Sequence, residues 1–358
     1  MNSRSESRVE ICPARLEPVF SPRPWGSRSL APFFPEMSNL AEPIGEAWMT
    51  GNECRFANGP FAGARLGDAW FMMPPEWTGA RVDRTAGFPL LVKFIFPADK
   101  LSVQVHPDDR YASRHEAAAG GRGKTEMWYA VHADPGAEAL LGMKPEVTLD
   151  EFKRAIVDGT AERCLERVPL RAGEAVFVTA GSAHAIGPGF VLCEVQQQSD
   201  LTYRVYDYNR RDAQGRAREL HVDKALDVMR FGPQTCGRLE PVRVERGGVS
   251  ESHFVACKYF ATERWDFAAP ARTAASREHF DVLVVLEGSG SLRWGRKSAE
   301  YAPGHVWLIP AALGEYELAP GARTSVLRTY VPGDLAELGR SLAAGGVSSS
   351  DISRLIRG

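Results

Sequence analysis

The stretch Leu101-Ser-Val-Gln-Val-His-Pro-Asp-Asp109 decides the fold prediction, because apolar and polar side chains alternate along it. On a β-strand, successive side chains point to opposite faces, so Ser102, Gln104 and His106 share one face and the three apolar residues share the other. The apolar face would pack into the wall of a β-barrel, and the polar face would need polar partners or a metal inside it. Taken alone, the stretch fits a solvated outer face with a surface histidine equally well.

Two further stretches carry polar side chains in strand-like patterns. In Gly123-Lys-Thr-Glu-Met-Trp-Tyr129 the same alternation places Lys124, Glu126 and Trp128 on one face. An exposed Lys/Glu pair is the common alternative for such residues. The segment from Gly173 to Gly187 predicts a strand that ends in a tight glycine turn and presents His184. A single histidine after a turn is, by itself, more often structural than a ligand.

Outward from these stretches the pattern is mainly β with few helices. Thr148-Leu-Asp-Glu151 is a capping box, which predicts a helix that ends at Gly159. After residue 250 the strands follow one another at the spacing typical of sandwiches and barrels, at Asp281–Glu287, Ser291–Trp294, His305–Ile309 and Thr324–Tyr330. The last residues, Leu335–Gly358, predict a short helix followed by a frayed end.

An internal similarity indicates a duplicated barrel. Gly173–Thr179 and Gly304–Pro310 each have a glycine, five mostly apolar residues and a turn residue. We therefore predict a mainly β fold of two related β-barrel domains, with helical insertions in the first. The predicted ranges are 1–245 for the first domain, 246–332 for the second and 333–358 for a C-terminal tail.

Composition excludes several classes of protein. The chain has 358 residues, 44% hydrophobic and 25% charged, with a formal net charge of −2, which argues against a dedicated nucleic-acid or membrane-surface binder. Six cysteines without a CxxC motif exclude a cysteine-built zinc finger and fit a reducing compartment. The N-terminal residues lack the apolar segment of a signal peptide, so we expect a cytoplasmic protein. No GxxxxGK[ST] phosphate loop supports nucleotide hydrolysis.

Together, the three stretches resemble the metal site of the cupin superfamily, and the resemblance implies that the two barrels are cupin (jelly-roll β-barrel) domains. The form Gly-x5-Pro-x-Gly-x2-His fits Gly173 to His184, except that Thr179 stands in the proline position. More specifically, the chain resembles type I mannose-6-phosphate isomerases (phosphomannose isomerases) in their compact bacterial form. The segments that carry the resemblance are LSVQVHPDD (101–109), GKTEMWY (123–129), VTAGSAHAIG (178–187), QQQSDLTYRVYDYNR (196–210) and RELH (218–221).

The resemblance implies one metal site per chain. In that family one zinc is held by a Gln and a His two residues apart, a Glu on a neighbouring strand and a later His, which here are Gln104, His106, Glu126 and His184. Nitrogen and oxygen ligands without a thiolate suit Zn²⁺, and also Mn²⁺, Co²⁺ or Fe²⁺. In the second copy Glu315 falls where His184 would, so we expect no metal there.

The resemblance also implies an aldose–ketose isomerase acting on a small sugar phosphate, through an enediol(ate), with no nucleic-acid or membrane partner. Lys124, Asp200 and Arg204 are the expected catalytic residues. Lys124 would serve as the base, with a lowered pKa, or as an electrostatic contact. Lys93, Ser102 and Arg204 are the expected substrate-binding residues.

Two other functions fit the same fold. A cupin dioxygenase usually ligates iron with His-x-His, whereas Gln104 stands in the first position here. A non-catalytic sugar-phosphate-binding cupin would have no need of Lys124, Asp200 and Arg204. The sequence does not give the oligomeric state.

Overall fold

The described part of the chain is mainly β, as predicted. A computed structural model describes residues 9–211, 214–233 and 236–357. The predicted domain ranges also include positions that lie outside the described residues, namely 1–8, 212–213, 234–235 and 358.

The strands of the first part are β1 (Ala14–Glu17), β2 (Val19–Ser27), β3 (Ile44–Trp48), β4 (Arg55–Phe56), β5 (Leu90–Ile95), β6 (Val103–Val105), β7 (Glu126–Ala133), β8 (Glu138–Met143), β9 (Leu165–Pro169), β10 (Ala175–Val178), β11 (His184–Ile186) and β12 (Phe190–Gln197). Those that follow are β13 (Tyr203–Tyr206), β14 (Gly237–Leu239), β15 (Val242–Arg246), β16 (Val249–Ala256), β17 (Ala261–Phe267), β18 (Ala271–Ala274), β19 (Asp281–Glu287), β20 (Gly290–Trp294), β21 (Lys297–Tyr301), β22 (Val306–Ile309), β23 (Glu315–Pro320) and β24 (Thr324–Tyr330). The α-helices are α1 (Leu66–Met72), α2 (Pro75–Thr78), α3 (Asp109–His115), α4 (Leu149–Val157), α5 (Val222–Val228), α6 (Leu335–Ala344) and α7 (Ser349–Leu355). Short 3-10 turns lie at Pro35–Met37, Ala117–Ala119 and Ala161–Cys164. No helix among the described residues is long and apolar enough to cross a membrane.

The chain divides into two compact units built from discontinuous segments. Among the described residues, those within 20–48 and 90–240 form the N-terminal-site unit, named for the predicted site residues that it contains, and those within 9–19, 49–89 and 241–357 form the C-terminal unit. The predicted domain ranges stay a prediction, although the last passage between the units, at Glu240 and Pro241, lies close to the predicted boundary at 245.

Two antiparallel sheets form the N-terminal-site unit. One has the order β14-β10-β7-β12-β5-β3-β2 and the other β13-β6-β11-β8-β9. Side chains of both sheets share one apolar core, which includes Trp128 of β7 and Ile186 of β11. A second core covers the outer face of β6, where Val103 and Val105 are fully buried. The alternation predicted for this strand therefore holds, with its apolar face packed against other chain segments.

Local signals explain several of the elements. The Thr148 hydroxyl accepts a bond from the Glu151 N–H while the Glu151 carboxylate accepts one from the Thr148 N–H, so the predicted capping box starts α4. The helix ends before Gly159, which has a φ of +70°. β2 contains Pro22 and Pro24, which cannot donate to a ladder, and it lies at the edge of its sheet.

The C-terminal unit also contains two antiparallel sheets, in the orders β15-β16-β17-β24-β19-β22-β1-β4 and β18-β23-β20-β21. The strands predicted from the repeated glycine pattern are both present, as β10 and β22, and every residue in them is buried. The frayed end predicted after the first C-terminal helix is wrong, since Ser348 caps α7 and Leu355 packs against Leu342 of α6. Glu315 is exposed at the start of β23.

A row of buried charges crosses the long sheet of the C-terminal unit. His253, Glu263 and Arg328 are register partners on β16, β17 and β24. His253 Nδ1 lies 2.8 Å from Glu263, and Arg328 bonds Glu263 at 2.7 Å and Asp281 at 3.0 Å. Burial alone would lower the pKa of His253, but Glu263 and Glu251 outweigh it and raise the pKa to about 9.

Stability should therefore fall as the pH rises from about 6.5 to 9. A histidine whose pKa is raised by folding contributes its full stabilisation when the pH is below the pKa of the unfolded chain. That contribution, on the order of 3 kcal/mol, is lost once the pH exceeds the pKa of the folded protein. Thermal melts of the wild type between pH 6 and 9.5 should show this decline, and His253→Gln should flatten it. An equal decline in both proteins would contradict the assignment to His253.

Candidate metal centre and active site

Strand pairing brings the predicted site residues together in the N-terminal-site unit. On β6, Gln104 is the register partner of His184 on β11 and of Arg204 on β13. Glu126, the first residue of β7, pairs with Gln196 on β12. Gln104 reaches His184 directly, with its amide nitrogen 3.2 Å from His184 Nε2.

His106, Glu126 and His184 form one compact cluster whose candidate ligand atoms all lie within 4.8 Å of one another. Glu126 Oε2 is 3.7 Å from His106 Nε2, and Glu126 Oε1 is 3.5 Å from His184 Nε2. Within the ranges described by the structure, this is the one group of three or more His, Cys, Asp or Glu side chains with metal-site geometry.

Both imidazoles are oriented by main-chain carbonyls. His106 Nδ1 donates to the Leu201 carbonyl at 2.8 Å, and His184 Nδ1 donates to the Ser182 carbonyl at 2.9 Å. With Nδ1 protonated, each unprotonated Nε2 faces Glu126, the tautomer that metal-binding histidines use. Burial is the main cause that lowers the pKa of both rings, that of His184 to about 4, so both are neutral.

The cluster contains a buried polar atom without a hydrogen-bond partner. His106 Nε2 is fully buried and unbonded within the described chain, whereas the fully buried Glu126 Oε2 contacts the Lys124 ammonium at 2.8 Å. Buried polar atoms are nearly always satisfied, and both of these atoms are electron-pair donors. A divalent cation fits this donor set, and the Gln104 amide can turn its oxygen toward the same point because its two ends have nearly the same shape.

Lys124 lies against this cluster. Its ammonium is buried, 2.8 Å from Glu126 and 3.8 Å from Glu194. Burial acts to lower its pKa, but the carboxylates of Glu126 and Glu194 outweigh burial and raise the pKa of Lys124 in the protein without a cation. The lowered pKa that we expect beside a bound cation stays a prediction.

Glu194 is a site residue that the sequence analysis missed. Its carboxylate lines the cavity, accepts a bond from Trp128 Nε1 at 3.1 Å, and has its pKa raised to about 7, mainly by burial. The signal was present, since Glu194 is a charged residue inside the apolar strand β12, as Lys93 is in β5. The two are register partners.

Lys93 and Asp200 form an ion pair at the inner wall of the cavity. Lys93 is 1% exposed, its ammonium donates to Asp200 at 2.8 Å, and it lies 4.4 Å from the centre of the Trp48 ring. Burial would raise the pKa of Asp200, but Lys93 outweighs it and lowers that pKa. Asp200 therefore neutralises Lys93 in addition to facing the cavity.

A cavity of about 470 Å³ opens beside the cluster. The predicted residues that line it are Lys93, Ser102, Gln104, Lys124, Asp200 and Arg204. Arg204 Nε donates to the Ser102 hydroxyl at 3.2 Å. The structure thus brings every predicted catalytic and substrate-binding residue to one cavity next to the candidate metal ligands.

Comparison with known proteins gives the family. The mannose-6-phosphate isomerase ManA of Bacillus subtilis is 33% identical over 310 residues, which are 86% of this chain and 95% of that protein. The chain belongs to the type I mannose-6-phosphate isomerase family. A mannose-6-phosphate isomerase of Streptococcus mutans is 34% identical over 234 residues, which are 65% of this chain and 72% of that protein.

Family models and solved structures agree with the isomerase family assignment. The catalytic-domain model of type I phosphomannose isomerase matches residues 14–153, and the mannose-6-phosphate isomerase cupin-domain model matches residues 250–330. The crystal structure of the Bacillus subtilis enzyme has a TM-score of 0.80 at 32% identity, over 88% of this chain and 99% of that chain. A mannose 6-phosphate isomerase bound with zinc and yttrium has a TM-score of 0.68 at 19% identity, over 89% and 99% of the two chains, and shares the fold.

The Lys93–Asp200 pair can be tested by stability. Asp200→Ala should leave the buried ammonium without its carboxylate and cost about 1–3 kcal/mol of unfolding free energy. The double variant Lys93→Met/Asp200→Ala should cost less than the sum of the two single changes, because no unpaired charge remains. Denaturant unfolding of all four proteins measures this coupling, and additive costs would contradict the pairing.

Proposed function

We propose that this chain interconverts mannose 6-phosphate and fructose 6-phosphate with one divalent cation, foremost Zn²⁺, held by Gln104, His106, Glu126 and His184. The observation that carries the proposal is the fully buried His106 Nε2, which has no hydrogen-bond partner within the described chain and lies 3.7 Å from Glu126 Oε2, beside a cavity lined by lysine and arginine. Membership of the family indicates that the substrate is this sugar phosphate.

The ligand atoms suit Zn²⁺ but do not single it out. Two imidazoles, a carboxylate and an amide oxygen also suit Mn²⁺, Co²⁺ or Fe²⁺. A bound cation of this kind supplies Lewis-acid stabilisation of negative charge on the substrate oxygens at C1 and C2. Without a thiolate ligand, the site is open to exchange among these metals.

Proton transfer between C2 and C1 is the chemistry that the chain itself must perform. An enediol(ate) forms when a base removes the C2 proton and the electron pair moves to the C1 oxygen. The same or another group then returns a proton at C1, while the C2 hydroxyl loses its proton and the C1 oxygen keeps one, which gives the ketose. Lys124 and Glu194 are the two groups of the cavity wall that can hold a proton next to Glu126. Lys124, as an ammonium, also holds a developing oxyanion, which is its alternative role.

The remaining residues bind and orient the sugar. Asp200, anchored by Lys93, presents its carboxylate to the cavity, where it can exchange a proton with the sugar hydroxyl during ring opening. Arg204 and Ser102, joined by their hydrogen bond, offer a guanidinium and a hydroxyl to substrate oxygens. These roles follow from the groups and their places in one cavity.

We also propose the cytoplasm as the compartment. No disulfide joins the six cysteines, all of which lie among the described residues. A reducing compartment is the usual setting for such a protein.

Metal content and turnover test the proposal together. Purified protein should contain about one divalent cation per chain and form fructose 6-phosphate from mannose 6-phosphate without consuming oxygen. Glu126→Gln and His184→Asn should each lower the affinity for the metal by about tenfold to a hundredfold or more, because each removes a ligand. The purified variants should therefore contain much less metal than the wild type. His132→Asn, at an exposed histidine of the same unit, is the control that should keep it.

The competing functions give different results in the same assays. Oxygen uptake without isomerisation would replace the proposal with a dioxygenase. Sugar-phosphate binding without turnover, in protein loaded with Zn²⁺, Mn²⁺ or Co²⁺, would replace it with a binding protein.

Lys124→Ala should lower kcat by at least about a hundredfold, since proton transfer or oxyanion stabilisation typically contributes that much. Steady-state kinetics with coupled detection of fructose 6-phosphate measures it. Lys153→Ala, at an exposed lysine of α4, is the matched control. Near-wild-type turnover in the Lys124 variant would remove this residue from the mechanism.

A further inference from the structure

The segment Arg218-Glu-Leu-His221 has so far had no role, although it belongs to the resemblance. In the structure Arg218 and His221 both line the cavity. The segment is fixed beside β13, because the His221 N–H donates to the Arg204 carbonyl at 2.7 Å and the Arg204 N–H donates to His221 Nδ1 at 3.3 Å. Arg218 is thus carried to the same side of the cavity as Arg204.

Asp207 fixes the orientation of Arg218. Its carboxylate is buried, and it accepts from Arg218 Nε at 2.7 Å and from Arg218 Nη2 through its other oxygen. The same carboxylate accepts a bond from Arg210. A two-bond fork of this kind sets the plane of a guanidinium.

Positive charge is in excess on this side of the cavity. Arg204 donates to two neutral acceptors, the Ser102 hydroxyl and the Glu219 carbonyl, and Asp207 is shared by two arginines. The pKa of Arg204 is lowered, first by burial and next by repulsion from Arg218. The charges of these two guanidinium groups therefore repel each other on this side of the cavity.

The inner side of the same cavity is charge-balanced. Lys93 is paired with Asp200, and Lys124 with Glu126 and Glu194. A dianionic group that enters the cavity would therefore be attracted more strongly to the side of Arg204 and Arg218 than to the inner side. A phosphate monoester carries about −1.5 to −2 charges at neutral pH and takes guanidinium forks well.

We infer that Arg218, together with Arg204, binds the phosphate group of the substrate, and that Asp207 is the positioning residue that aims Arg218 at it. The inference rests on the proposed function for the identity of the ligand as a sugar phosphate. It adds the side of the cavity that the phosphate occupies. The reacting carbons then lie toward Lys124 and Glu126, at the other side.

Arg218→Gln is the central test. The KM for mannose 6-phosphate and the dissociation constant for inorganic phosphate, measured by calorimetry on the purified protein, should each rise roughly tenfold to a hundredfold, the usual effect of losing a charged hydrogen bond. The kcat should change less than about threefold, because this contact is made equally before and during the reaction. Arg216→Gln, at an exposed arginine of the same segment, is the control and should change neither.

Asp207→Asn tests the positioning role. It should raise KM and leave kcat nearly unchanged, and Arg218→Lys should recover only part of the wild-type affinity because an ammonium cannot form the fork. Thermal melts check that each variant is folded. An unchanged KM and unchanged phosphate affinity in folded Arg218→Gln would overturn the inference.

The two proposals fail differently. Wild-type protein that binds inorganic phosphate through Arg218 but forms no fructose 6-phosphate would overturn the proposed function and leave the phosphate subsite standing. Wild-type isomerase activity with an unaffected Arg218→Gln variant would overturn the subsite alone.

Discussion

The crowding of electron-rich atoms around Glu126 is the constraint on which the rest of the site depends. Its carboxylate has no exposed surface, and the unprotonated nitrogens of His106 and His184 face it. Lys124 offsets part of this negative potential. A buried carboxylate with too little compensation destabilises a fold strongly, so binding of a cation here would contribute to the stability of the N-terminal-site unit as well as to chemistry.

The two units solve the problem of buried charge in different ways. In the C-terminal unit a carboxylate, Glu263, is held between His253 and Arg328, so protein cations neutralise it directly. In the N-terminal-site unit the histidines are neutral and oriented by carbonyl groups, which keeps their lone pairs available. The first arrangement needs no bound ion, whereas the second is suited to one.

Sequence reasoning predicted the elements whose signals are local. The alternation in Leu101–Asp109, the capping box at Thr148 and the glycine-bounded strands all correspond to observed elements. The candidate ligands were predicted from the family resemblance, and strand alternation by itself placed only Gln104 and His106 on one face. The helix α7 was missed, since its few apolar residues become significant only when Leu355 contacts Leu342.

The features of the site that the sequence analysis missed have a shared cause, which is that electrostatics depends on neighbours distant in sequence. The pKa of Lys124 is raised first by Glu126 and next by Glu194, which lies seventy residues later in the chain and comes within 3.8 Å. Arg218 acquires its orientation only through Asp207. Neither contact has a signature in the sequence around the residue it affects.

The Asp207 fork has a consequence for how the cavity responds to acidity. Guanidinium groups keep their charge throughout the range in which enzymes work, so Arg204 and Arg218 do not titrate there. The second ionisation of a phosphate monoester, near pH 6, is then the variable quantity in this contact. The strength of the contact would follow the ionisation of the ligand rather than that of the two arginines, and acidification would weaken it by altering the substrate itself.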